Sequence, residues 1–343
     1  MSTTVYVALS GGVDSTVAAL LLRQQGYAIE GVTIDTGYGN AVTKAADCCR
    51  HLDIVHHVID AKALFNRYVI KYFVEAYLNG LTPNPCVVCN QRIKFALIFD
   101  MLSKNQLTMM ATGHYVRKVI DNDRCGLAKA ASKTKDQSYF LYKLPQKILA
   151  RCLFPLGNYQ KSEIREIAAA AAMPAAVELE SQDICFIPDG NYRYFLEQGS
   201  INRLLDGDII DTSGNIIGHH YGLGNYTVGQ RKGLGISSQC PLYVVAIDTT
   251  ANRLIVGREQ ELYSKEVICG DCNFIAFDNL IAPLDVEVKI RYLANPVKAK
   301  IIPQDDIIKM EFEVAQRAVT PGQAAVFYRD DTLIGGGTII SCK

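Results

Sequence analysis

The sequence predicts an α/β fold: a doubly wound parallel sheet first, then a small central β-rich domain, then a C-terminal β-barrel. Three observations carry that expectation. Short apolar runs alternate with long helical patterns through the first half of the chain, the rhythm of βαβ units. The first run leads straight into the small polar turn Ser10-Gly-Gly-Val-Asp-Ser15, as a strand feeding a helix does. From about Gly207 the text becomes short β-prone runs divided by Gly, Asn and Asp.

Taken in order, "VYVAL" (5–9) reads as a buried strand and "STVAALLLRQQG" (15–26) as the helix after it, stopped by Gly26. "AIEGVTI", "IVHHVID" and "TMMATGH" read as the next strands. The stretches 61–80, 93–106 and 161–173 carry helical periodicity and fill the intervals. The β-prone runs of the second half include "GDIIDTSGNIIG", "PLYVVAIDTTANRLIVG", "LDVEVKIRYL" and "QAAVFYRDDTLIGGGTII". Boundaries are expected at 1–192, 193–262 and 263–343.

Composition narrows the function classes. Of 343 residues, 49% are apolar and 20% charged, the balance of an ordinary globular protein with more than one core. No apolar run is long enough to cross a bilayer, and no basic-then-apolar leader opens the chain, so a cytoplasmic location without a membrane partner is expected, and a monomer is the expected state. The 35 basic and 35 acidic residues cancel, so any nucleic-acid partner must meet a local basic face. The 11 cysteines, an odd count without secretory context, read as thiols, redox pairs or metal ligands.

The first motif is Ala8-Leu-Ser-Gly-Gly-Val-Asp-Ser15. A Gly-rich turn between a strand and a helix N-terminus collects backbone N–H groups, which suits an anion. The GxxxxGK[ST] signature is absent and no lysine sits in the loop. The competing reading is a plain capped turn, with Asp14 or Ser15 as the N-cap. The second motif is "GLTPNPCVVCNQRIKF" (80–95), a proline-stiffened turn followed by Cys86-x-x-Cys89. On spacing alone the pair admits a zinc half-site, a redox pair, cluster ligands or two core cysteines. The third is "ESQDICFIPDG" (180–190), where Cys185 by itself reads as a core residue rather than a nucleophile.

Together, "SGGVDS", "TPNPCVVCN" with "IKF", "ATGHY", "KDQSYFLY", "SQDICFI" and "YTVGQRKGLGI" occur in one order. The first resembles the PP-loop of ATP pyrophosphatases, and the set resembles the tRNA-specific 2-thiouridylases, which place sulfur on the wobble uridine of certain tRNAs. The likeness runs from the first strand to about Gly257 and more weakly through "IRYLANP" and "TPGQAAVFY". The resemblance implies ATP, with Mg²⁺, held by Ala8, Leu9, Ser10, Gly11, Gly12, Val13, Asp14 and Ser15, with Ile34 and Gly113 bordering adenine and ribose. It implies Cys89 as nucleophile, Cys185 as carrier of the persulfide sulfur, and Asp14 as a catalytic-loop carboxylate. It places Asn84, Pro85 and Cys86 beside the target base, and His114, Lys135, Asp136, Gln137, Arg291, Tyr292 and Gln323 on tRNA. The implied partners are tRNA and a sulfur-donor protein or relay. The chemistry fits: adenylating the uracil 2-oxygen makes AMP the leaving group, a soft sulfur displaces it, and a second cysteine breaks the S–S link.

Two departures stand out. Many family members carry aspartate where this chain has Cys86, so an acid/base role there does not transfer. Cys86, Cys89 and Cys185 form instead a candidate ligand set for a [4Fe–4S] cluster. The segment 34–54 is also shorter than the family leads one to expect. Alternatives are an adenylating PP-loop synthetase with another nucleophile and an inactive tRNA-binding homologue. Cys269-x-x-Cys272 is a weaker metal signal, and Cys48-Cys49 reads as core. The stretch Lys289–Lys300 reads as a strand with cations on one face, or as an edge strand guarded by lysines.

Overall fold

The structure is a computed structural model and describes residues 4–103, 108–174, 184–187, 190–200 and 205–343. The first strands are β1 (Thr4–Ala8), β2 (Ala28–Asp35), β3 (His56–Asp60) and β4 (Thr108–Thr112). A hairpin of β5 (Arg117–Asp121) and β6 (Arg124–Ala128) follows, then the short β7 (Cys152–Leu153). Strands β3-β2-β1-β4-β7 form one sheet in that order, every neighbouring pair parallel. The chain steps outward from β1 on both sides, so the switch point lies beside β1. Such a crevice at the carboxyl edge is where ligands bind in doubly wound sheets.

Helix α1 (Val13–Gln24) is buried from Ser15 through Leu22, sealed between the sheet and the helix Lys161–Ala170. Each of its leucines removed from water contributes about 1.5–3 kcal/mol, so the start of α1 is held rigidly. Helix α2 (Ala41–Leu52) turns Ala45, Cys48, Cys49 and Leu52 inward, so the Cys48-Cys49 pair is core. The helical stretches 62–78 and 85–102 each contain a π turn, at Asn66–Ile70 and Asn90–Lys94. Apolar periodicity does not announce a π turn; such widenings recur at functional sites.

The central domain is a four-stranded sheet ordered β10-β11-β8-β9, from β8 (Asp206–Asp211), β9 (Ile216–Tyr221), β10 (Tyr243–Asp248) and β11 (Arg253–Gly257). The last domain strings β12 (Tyr263–Phe274), β13 (Leu284–Lys289), β14 (Val297–Gln304), β15 (Ile307–Arg317), β16 (Ala324–Arg329) and β17 (Thr332–Cys342). Their order β12-β15-β14-β13-β16-β17 closes through β12 pairing with β17, and the β5–β6 hairpin adds to β17 from outside. The barrel is therefore wired to the first domain by main-chain hydrogen bonds.

One expectation is corrected here. Residues 289–300 are not a single strand: β13 ends at Lys289, the chain turns, and β14 begins at Val297 after Pro296. Pro296 cannot donate to a ladder, so the turn falls where proline requires it. Lys298 and Lys300 share one exposed face, while Lys289 lies over the Tyr292 ring at 5.7 Å. Among the described residues no helix is long and apolar enough to cross a membrane.

Candidate active site

The turn after β1 opens α1 without a side-chain cap. Gly12 is the N-cap and no side chain makes a capping hydrogen bond to the first turn, which corrects the capped-turn reading with Asp14 or Ser15. Orphan N–H groups at a helix start are the donors an anion satisfies. Ser15 Oγ donates inward to Gly12 O at 3.0 Å and accepts from Ser10 N at 3.2 Å, so these serines shape the turn. Gly11 is required twice over: its φ is +79°, and a Cβ would lie 2.2 Å from Lys44 Cβ. Gly113, at the end of β4, is required by space, since a Cβ would meet Ser15 N at 2.7 Å. The turn, the start of α2 and the end of β4 thus close on one another.

Asp14 lies inside α1's first turn and its carboxylate is gripped from outside the motif. Tyr115 Oη donates to Asp14 Oδ1 at 2.7 Å, and Lys161 Nζ reaches the same oxygen at 2.7 Å. The loop has no lysine of its own, but the fold delivers one from a distant helix. Nothing local in the sequence signals Lys161.

The cysteines are assembled by a second set of elements. Pro85 occupies the first turn of the helix Pro85–Cys89, and Asn84 caps it by accepting from Val87 N at 3.4 Å. Cys89 is 8% exposed and packs in a cluster with Phe65, Phe73, Ile93 and Phe186. Phe186, next to Cys185, sits edge-on to Phe73 at 5.2 Å and also meets Tyr38 of the loop after β2. That aromatic anchor brings Cys185 to the Cys86–Cys89 helix. Ile34, at the end of β2, packs against both this cluster and the sheet core. The Gly-rich turn after β1 and the cysteines therefore share the carboxyl edge of the sheet.

Lys94 is the charge at the centre. Desolvation works against its ammonium, but Cys89, Cys86 and Cys185 outweigh it and raise its pKa. Burial pushes the Cys89 thiol up to about 12, with Lys94 opposing and the other two cysteines adding to the rise. Cys86 and Cys185 open to solvent, yet the surrounding protein raises both thiols, again against Lys94. Burial, then Lys94, drives His114 down to about 3, so its imidazole is neutral, with Nδ1 2.8 Å from Thr112 Oγ1. Lys94 stood in the quoted "IKF" without a role. A regular α-helix turns residues five apart to different faces, whereas a π turn brings them nearer.

Three family models match the chain. The one described as tRNA methyl transferase HUP domain covers residues 3–189, the tRNA methyl transferase PRC-barrel domain covers 193–258, and the aminomethyltransferase beta-barrel domain covers 264–339. The tRNA-specific 2-thiouridylase MnmA 2 of Clostridium botulinum strain Langeland is 43% identical over 98% of both chains. The chain belongs to the tRNA-specific 2-thiouridylase family. Similar relatives of that name occur in Caldanaerobacter subterraneus, at 43% identity over 98% of this chain and 97% of the relative, and in Caldicellulosiruptor saccharolyticus, at 42% over 99% of both.

The 2-thiouridylase resemblance put several residues on tRNA, and the structure gives them internal partners. Asp136 is buried and its carboxylate accepts from Ala130 N at 3.0 Å and Ser138 Oγ at 2.8 Å. Gln137 Oε1 accepts from Tyr115 N at 3.0 Å, and Lys135 N donates to Ser132 O at 3.1 Å. Arg291 donates to Ala318 O and to Thr320 Oγ1, and Tyr292 stacks near Phe140 at 4.5 Å. Gln323 Nε2 donates to Thr82 O at 3.2 Å and Pro83 O at 3.4 Å, so the barrel grips the turn that precedes Cys86. These groups position the site. Ser181, Gln182 and Asp183 of the third motif lie outside the described residues.

A [4Fe–4S] cluster demands three thiolates gathered on one point. All eleven cysteines are free, and among the described residues no three His, Cys, Asp or Glu side chains gather closely enough to hold a metal ion. Cys86, Cys89 and Cys185 feel one another's charge but do not meet that geometry.

Proposed function

We propose that this chain carries out ATP-dependent 2-thiolation of the wobble uridine of tRNA, using a persulfide on Cys185. The observation that carries the reading is the shared edge: an uncapped helix start, closely approached at Gly11 and Gly113, beside Cys86, Cys89 and Cys185, whose thiols all couple to the Lys94 ammonium. The N–H groups of Val13, Asp14 and Ser15 suit the nucleotide's phosphates, with Mg²⁺ arriving on ATP and Asp14 as the loop's carboxylate. Lys161, held on Asp14, adds positive charge where pyrophosphate departs.

The uracil 2-oxygen attacks the α-phosphorus and pyrophosphate leaves. The terminal sulfur on Cys185 then attacks C2, and AMP leaves with the oxygen. Cys89 next attacks Cys185 Sγ; the S–S bond to the new thiocarbonyl breaks, its electron pair stays on the uridine sulfur, and a Cys89–Cys185 disulfide remains. A dithiol must reduce that disulfide and a sulfane-sulfur donor must recharge Cys185, which its exposure permits. Neutral His114 beside Lys94 accepts or donates a hydrogen bond without adding a cation that would compete with Lys94.

Incubation with unmodified tRNA, ATP and a sulfane-sulfur donor, followed by nucleoside mass spectrometry, should yield 2-thiouridine. ATP–pyrophosphate exchange that requires tRNA supports the reading. Exchange without tRNA would favour an adenylating synthetase, and binding of tRNA with neither reaction would favour an inactive homologue.

A further inference from the structure

The proposed chemistry leaves Cys269 and Cys272 of β12 unused. A regular strand would turn residues three apart to opposite faces. Here the pairing with β17 slips: Gly270 faces Thr338 while Asn273 faces Gly336, so β12 carries one residue more than its partner. That extra residue makes a bulge, and Asp271 within it takes a left-handed backbone with φ 48°. Both cysteines consequently face the barrel interior, Cys269 fully buried and Cys272 half-buried against the same apolar cluster. They converge over Gly337, where a Cβ would lie 2.5 Å from Cys272 Sγ and 3.1 Å from Cys269 Cβ. Any larger residue there would separate them. Both are free thiols.

We propose that Cys269 and Cys272 are a redox-active dithiol that closes to an internal disulfide, a modification site separate from the sulfur-transfer cysteines. The oxidant is a small-molecule disulfide. The Cys272 thiolate attacks one of its sulfurs and expels one thiolate, giving a mixed disulfide. The Cys269 thiolate then attacks Cys272 Sγ and expels the second. The Cys269–Cys272 bond forms, the oxidant is reduced to two thiols, and the two cysteine protons end on those thiols. Cys272 is the entry point because Cys269 is fully buried.

The bulge is also a joint between domains. Asp271 pairs with Lys143, Asn273 Nδ2 donates to Tyr142 O at 2.5 Å, and Gly336 lies under the Tyr142 ring. Tyr139, three residues earlier, bonds Ala324 O at 2.8 Å and touches Asn84. Closing the disulfide reshapes the strand segment that holds the Cys86–Cys89 helix in register with the barrel. Burial, aided by Asp271 and opposed by Lys143, holds the Cys272 thiol up at about 12. Oxidation is thus slow near neutrality and speeds about tenfold per pH unit as thiolate accumulates.

The test treats the full chain with oxidised glutathione from about pH 7 to about pH 9 and maps peptides without reduction. The peptide holding both cysteines should lose the mass of two hydrogens, faster at each higher pH. Cys269→Ser should stop at a glutathione adduct on Cys272, and Cys272→Ser should leave Cys269 unmodified. Two freely alkylated thiols in the wild type at the highest pH would overturn the proposal, as would a Cys272 adduct that Cys269 never resolves. None of these readouts depends on thiolation activity.

Discussion

Asp14 shows how a residue in a legible motif takes its working state from residues far outside it. Its carboxylate meets Tyr115 and Lys161, so Asp14→Ala removes the acceptor that holds the Tyr115 hydroxyl and the Lys161 ammonium beside the turn. Thiolation should fall at least a hundredfold while tRNA affinity stays within about twofold, because Asp14 orients the Lys161 charge proposed to act on the departing pyrophosphate. A gel shift beside a 2-thiouridine assay checks this; lost tRNA binding with normal ATP binding would sink it. Cys86 is open to solvent and auxiliary in the persulfide route, so Cys86→Asp should keep most activity, whereas Cys185→Ser should abolish it. Full activity in Cys185→Ser would remove the sulfur-carrier role. His114 carries a pH signature. Its folded pKa is depressed to about 3, so the unfolded chain takes a proton first as pH falls. The stability from the neutral imidazole is complete above about pH 6.5 and drains away between there and about pH 3. Denaturation curves at falling pH should be less steep in pH for His114→Asn than for the wild type.

At the level of elements, the site depends on close approaches that only small residues permit. The end of β4 touches the first turn of α1 because Gly113 has no side chain. In Gly113→Ala the new methyl must displace the Ser15 backbone, 2.7 Å away. We expect about 1–3 kcal/mol of destabilisation, as for other overpacked contacts, and a larger proportional loss of ATP affinity than of tRNA affinity. Calorimetric titration of nucleotide with thermal unfolding checks both. The π turn at Asn90–Lys94 is the second such device, because it widens the helix between the cysteines and Lys94.

Across the whole molecule, the barrel is tied to the first domain at the turn that precedes Cys86. The β5–β6 hairpin extends the barrel through β17, and Gln323 holds the carbonyls of the Thr82–Pro83 turn. Gln323→Ala leaves those two carbonyls without that donor, so kcat should drop several-fold with little change in KM for ATP. An unchanged kcat would mean that the turn is held by its prolines alone. The net charge is zero, yet tRNA affinity should fall linearly with the logarithm of salt, since phosphate contacts release counterions. A flat plot would mean that no local basic face exists.

What the sequence determined by itself was whatever a few consecutive residues decide. The strand–turn–helix of "ALSGGVDS", the proline-stiffened approach to Cys86 and the change to β-rich text are set by local sterics and periodicity, so they could be read from the text. The order of motifs sufficed for the family. Tertiary structure decided the rest. Lys161 meets Asp14 across 147 residues of chain, and Phe186 carries Cys185 to Cys89 through aromatic packing. Asp136, Arg291 and Gln323 each take an internal partner that no local pattern in the text announces. A π turn, a strand bulge over Gly337 and the electrostatic grip of Lys94 leave no periodic trace, because each exists only where distant segments press on one another.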